Sequence, residues 1–76
     1  LRAANALAYW KKSIENQIER GIERNEIKDN TIPTERAVII MSLIEGAIMQ
    51  AKVTGKSTEL RIAMDYLEKL IRGIEV

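Results

Sequence analysis

Residues Ala37–Ala51 read AVIIMSLIEGAIMQA, in which eleven of fifteen positions are apolar and only Ser42, Glu45 and Gln50 carry polar side chains. A helix lying on a domain surface needs one apolar stripe, whereas a helix that is apolar on nearly every side must be covered on nearly every side. The rest of a 76-residue chain offers little material for that. The pattern therefore predicts cover from a second chain.

The flanking segments show ordinary helical periodicity. Leu7, Trp10, Ile14, Ile18 and Ile22 recur at helical spacing, with Ala3 extending the same face, which predicts a first helix from the start of the chain to about Arg24. That phase places Lys12, Glu15, Asn16, Glu19 and Glu23 in water. Asn25 suits the left-handed residue that ends a helix. Glu26–Ile32 is a break containing the turn formers Asp29, Asn30 and Thr31. Pro33 fits the first position of the next helix, and Glu35 suits its positive end. This second helix extends to about Val53. In Thr54-Gly55-Lys56-Ser57, Gly55 can take a positive φ and Ser57 can cap a third helix over about Thr58–Ile74. Leu60, Ala63, Met64, Leu67, Leu70, Ile71 and Ile74 form its apolar arc, with Arg61, Asp65, Glu68 and Arg72 facing away. No strand pattern or internal repeat interrupts this reading.

On a helical wheel the central helix carries two stripes. Ala37, Ile40, Met41, Ile44, Ala47, Ile48 and Ala51 make a core face for its own neighbours. Ile39, Ser42, Gly46, Met49 and Val53 follow steps of three, four, three and four, the spacing of a helix–helix seam. Ser42 and Gly46 are small enough for two backbones to approach. A mid-helix glycine costs about 1 kcal/mol relative to alanine, so it usually has a packing reason. The third helix adds a minor stripe of Ile62, Tyr66 and Gly73. Two spare stripes on consecutive helices predict an all-α fold of three antiparallel-type helices forming half of an intersubunit four-helix bundle in a homodimer. The bland alternatives are that Gly46 fits a side chain of its own subunit and that Ile62 and Tyr66 are ordinary exposed residues. Wheel geometry also leaves open the opposite assignment, with the Ala37–Ile44–Ile48 stripe facing the partner.

Composition narrows the function classes. There is no cysteine and no histidine, which removes disulfides, the common zinc sites and the usual nucleophile–base pairs. No catalytic set and no cofactor-binding or metal site emerges, so an enzyme is not expected. A net charge of +1 with interspersed signs gives no nucleic-acid groove. The longest unbroken apolar run, Ala37–Met41, is far short of the ~20 residues of a membrane span. One helical domain over residues 1–76 is expected, stabilised by oligomerisation. The chain starts at Leu1 rather than Met, as a piece of a longer protein would.

With these segments placed, the chain resembles the C-terminal part of tetracycline-repressor (TetR) family transcriptional regulators from about Trp10 to Ile71. The likeness runs through Ile18-Glu19-Arg20-Gly21-Ile22-Glu23-Arg24, Glu26-Ile27-Lys28, Pro33, Thr34-Glu35-Arg36-Ala37 and Leu43-Ile44-Glu45-Gly46-Ala47. It continues through Thr54-Gly55-Lys56 and a helix with Leu60, Ala63, Tyr66, Leu67 and Leu70. One departure is Asn25, where such sequences often have glycine. The resemblance implies a cytoplasmic bacterial repressor that dimerises through its last two helices. It also implies a small hydrophobic effector and operator DNA bound only by an N-terminal helix-turn-helix absent from these residues. Trp10, Ile14, Met41 and Ile44 are candidates for lining what remains of an effector pocket, or simply core. Glu45 would either pair with a partner's Arg or Lys or point to solvent. The rival from another class is a self-standing small helical homodimeric adaptor.

Overall fold

The computed structural model describes residues 3–76, with side chains from residue 5 onward. The expected inward placement of the Ala3 side chain lies outside the described residues. Three helices follow in order: α1 (Ala3–Glu23), α2 (Pro33–Thr54) and α3 (Thr58–Ile74).

Their ends are set by local chemistry. α1 closes with Asn25 at φ 61°. The Asn25 N–H donates to the Ile22 carbonyl at 3.0 Å and the Glu26 N–H to the Gly21 carbonyl at 2.8 Å, the two bonds of a Schellman ending. α2 begins at Pro33, whose missing N–H would have been unpaired in any case. It ends at Gly55, φ 71°, whose N–H donates to the Ala51 carbonyl at 2.9 Å. Ser57 precedes α3 as expected, but its hydroxyl makes no capping bond. At φ −96°, ψ 4° its backbone is not in the extended region from which a cap side chain reaches forward. Instead, Thr54 Oγ1 accepts the Lys56 N–H at 3.2 Å.

α2 packs against both α1 and α3, which do not touch each other. The result is a thin, splayed layer of 40 × 30 × 14 Å with a radius of gyration of 13.7 Å. A compact globule of this length would have about 11.4 Å. The accessible surface is 5737 Å² for 8.6 kDa, against about 4,700 Å² for a compact monomer of that mass. Among the described residues the apolar core is small, consisting of Ile18, Ala37, Ile40, Met41, Ala47, Ala63 and Ile74, and none of its larger side chains is fully buried.

Two inward–outward assignments on α1 need correction. Trp10 is 55% exposed, not inward, and Glu15 is only 7% exposed rather than facing water. The inner arc is centred on Ile18 and takes in Glu15 and Gly21, a rotation of about 30° from the apolar pattern. Glu15 is accommodated by its aliphatic stem and by Lys12 Nζ, 3.6 Å from its carboxylate. On α2, Ile48 is half exposed at the edge of the core face.

α2 is also long and apolar enough to cross a membrane by length and composition, with a mean hydropathy of 1.5 over an 18-residue window. Counting unbroken runs missed this because single polar residues interrupt the segment. In the fold, α2 is flanked by helices bearing Lys11, Glu19 and Arg20 on one side and Arg61, Glu68 and Arg72 on the other. A bilayer would accept α2 only if both were stripped away.

Gly21 is a close-packing position. A Cβ built there would sit 2.5 Å from Ile27 Cδ1 and 2.8 Å from Cγ1. Alanine gains about 1 kcal/mol of helix propensity over glycine, but overpacking costs about 1–3 kcal/mol. Gly21→Ala is therefore expected to lower stability by about 1 kcal/mol in urea unfolding. Unchanged or raised stability would show that Ile27 moves aside freely.

Candidate interaction face

The seam residues of α2 project from the side opposite its core face, and the structure leaves them open. Ile39, Ser42, Gly46, Met49 and Val53 are all exposed, Met49 at 68%. Gly46 has nothing within 4 Å of a built Cβ. Its small size is thus not required by its own subunit, which removes the bland reading of that glycine. On α3, Ile62, Tyr66 and Gly73 are exposed as well, Ile62 at 63%.

Packing brings the two stripes onto one face. An open groove of about 440 Å³ between α2 and α3 is lined by Ser42, Leu43, Ala47 and Gln50 from one helix and Glu59, Ile62, Ala63 and Tyr66 from the other. A second groove along the same helix pair is lined by Arg36, Tyr66, Lys69, Leu70, Gly73 and Ile74. A third, between α1 and α2, is lined by Leu7, Ala8, Lys11, Val38, Met41, Ser42 and Glu45. Ser42 borders grooves on both flanks of α2. The face is therefore a ridge with a furrow on either side, the relief that another pair of helices can fill. The furrows carry its charged and amide groups (Glu59, Gln50, Arg36, Lys69, Lys11 and Glu45), while the ridge is Ile39, Ser42, Gly46, Met49 and Val53, with the Ser42 hydroxyl as its one polar side-chain group. Glu45 is exposed at the edge of the ridge.

The candidate effector residues are not gathered in one cavity. Met41 is buried and lines the α1–α2 groove. Ile14 and Ile44 are half-buried, and Trp10 points outward. From α1 that groove is lined by Leu7 of the apolar pattern together with Ala8 and Lys11, which the rotation of α1 brings round to it. Among the described residues, no three metal-ligating side chains come together. The ion pairs Lys12–Glu15 and Arg72–Glu68 each lie within one helix.

Residues 1–67 match a family model described as Tetracyclin repressor-like, C-terminal domain. The match takes in α1, α2 and α3 as far as Leu67. No curated protein and no solved structure matches the chain.

The open space at Gly46 separates folding from association. Gly46→Leu is expected to keep or slightly raise helix content by circular dichroism, while overlapping with any partner seated on the ridge. Sedimentation should then report the single-chain mass. A Gly46→Leu chain that still sediments as a dimer would take the ridge out of the contact.

Proposed function

The chain belongs to the tetracycline-repressor-like C-terminal domain family of transcriptional regulators, and on that premise we propose that it is the dimerisation and effector-response portion of a bacterial repressor. The observation that carries the proposal is the ridge-and-furrow face. It is apolar, continuous across two helices and without a partner in its own chain.

The surface bookkeeping has the right scale. The chain exposes about 1,000 Å² more than a compact monomer of its mass, and a standard interface removes about 800 Å² from each partner. A two-fold axis through the face would set α2 and α3 of one protomer against the same helices of the other. Each protomer would then present Ile39, Ser42, Gly46, Met49 and Val53 together with Ile62, Tyr66 and Gly73 to an identical copy. The product is a four-helix bundle, in which α2 gains on its open side the cover that α1 and α3 give on its core side.

Effector response follows from the same geometry. The α1–α2 groove is lined by apolar Leu7, Ala8, Val38 and Met41 together with Lys11, Ser42 and Glu45, a lining suited to a small, mostly hydrophobic molecule. Of the expected set of Trp10, Ile14, Met41 and Ile44, Met41 lines this groove. A ligand there would act only through a difference in affinity between two arrangements of the helices. In this reading, contact with operator DNA is made by a helix-turn-helix outside residues 1–76, and these residues read no base sequence themselves.

Sedimentation equilibrium over a hundredfold dilution tests the proposal. The expected result is twice the 8.6 kDa chain mass, with a melting temperature that rises with protein concentration, as linkage of folding to association requires. A chain that stays at 8.6 kDa at high concentration, with concentration-independent melting, would refute it.

A further inference from the structure

The break between α1 and α2 is strapped to the end of α3. Ile27 and Glu75 form an isolated antiparallel bridge. The Lys28 N–H donates to the Ile74 carbonyl at 2.7 Å, and the Val76 N–H donates to the Glu26 carbonyl at 3.0 Å. The other end of the strap is fixed to α1. The Gly21 carbonyl accepts from both Glu26 and Ile27 N–H groups, at 2.8 and 3.1 Å, and the Ile27 side chain seats on Gly21.

α1 and α3 have no other connection except through α2. Packing along α1 is lopsided. No side chain from Asn5 to Lys12 is buried, whereas Glu15, Ile18 and Gly21 are. α1 is therefore held at its C-terminal end, where the strap lies, and is lightly held at the other. Ile74, at the α3 end of the strap, is buried in turn. The strap residues Ile74, Glu75 and Val76 lie outside the segment that matches the family.

We infer that this two-hydrogen-bond bridge is a coupling device that makes the tilt of α1 and the alignment of α3 one variable. A disturbance on α1, such as a ligand entering the α1–α2 groove, reaches α3 directly through Gly21, Ile27 and the bridge. The route is the backbone one, from the Gly21 carbonyl through the Glu26 and Ile27 N–H groups to the bridge, and it does not need to pass through the packing of α2. The regulatory meaning of the device rests on α3 being part of the dimer face, but the coupling itself does not.

The test perturbs α1 and reads α3. Ile14→Ala loosens α1, and amide hydrogen exchange over Leu70–Ile74 reports local opening of α3. Val76→Pro removes one bridge donor with little strain, because Glu75 already lies at φ −73°, ψ 146°, the region preferred before proline. In the unaltered background, Ile14→Ala is expected to speed exchange in the last turn of α3 by about tenfold. In the Val76→Pro background it should change that exchange by less than about twofold. A third arm restores the link covalently by Ile27→Cys with Glu75→Cys. A bridge pair flanked by its hydrogen bonds, like this one, has Cα atoms about 4.5 Å apart, within disulfide reach, and the chain has no other cysteine. Oxidation should bring back the response to Ile14→Ala in the Val76→Pro chain, and reduction should abolish it. Equal responses with and without Val76→Pro would overturn the inference by routing the signal through α2, as would no response in either background. Sedimentation of the same samples reports separately on the dimer. A monomer with intact coupling would refute the functional reading and leave the strap standing.

Discussion

α2 has more apolar circumference than two neighbours in one layer can cover. Every larger feature of the structure follows from that mismatch. Side-by-side helices bury each other along facing flanks only, and α1 and α3 do not meet behind α2 to close the layer. Stable domains usually stack two layers about one core, and this chain supplies one. Its expanded radius, its excess surface and, among the described residues, its lack of a fully buried large side chain all go with a single layer. The same mismatch explains why α2 satisfies a hydropathy test for membrane spans. High mean hydropathy records the amount of apolar surface, and the flanking helices decide what kind of solvent could take it up.

The boundaries of α2 and α3 were legible because local residues punctuate them. Pro33 and Gly55 each act through their own backbone preference, so position along the chain was enough, whereas Ser57 marks the start of α3 without making the expected capping bond. Asn25 was legible on the same terms, and its φ of 61° places it in the left-handed region that glycine usually takes at a helix end. The two spare stripes were legible as stripes. That they share a face was not, since this depends on how α2 and α3 cross, and crossing is set by the side chains in contact. The inner face of α1 was misread for a related reason. Periodicity ranks Trp10 as apolar and Glu15 as charged, but the packing angle buries a carboxylate stem beside Lys12 and leaves the indole outside. The α1–α2 groove is lined from α1 by Leu7, Ala8 and Lys11, and of the expected pocket residues by Met41.

Gly21 had a signal that went unused. A glycine within a helix invites the question of what approaches it, and Ile27, one of two isoleucines in an otherwise polar break, is the answer. The Ile27–Glu75 bridge had no comparable signal. It joins residues 48 positions apart through backbone groups alone, so no periodicity or composition marks it. A pairing of this kind depends on the lengths and angles of all three helices together.

Gly46 and Gly21 show how one residue type serves opposite ends in this fold. Gly21 is filled from within, since the Ile27 side chain occupies the space a methyl group would need, and the subunit's own packing accounts for it. Gly46 lies on an open ridge with no atom near its missing Cβ. It carries the cost of glycine in a helix without a compensating contact in the same chain. Marginal stability leaves little room for an uncompensated cost of that size in a chain with so small a core. In the proposed dimer, a second backbone passing close to Gly46 would supply the missing compensation. Gly46 also sits on the ridge between the two furrows, where the approach of another helix would be closest.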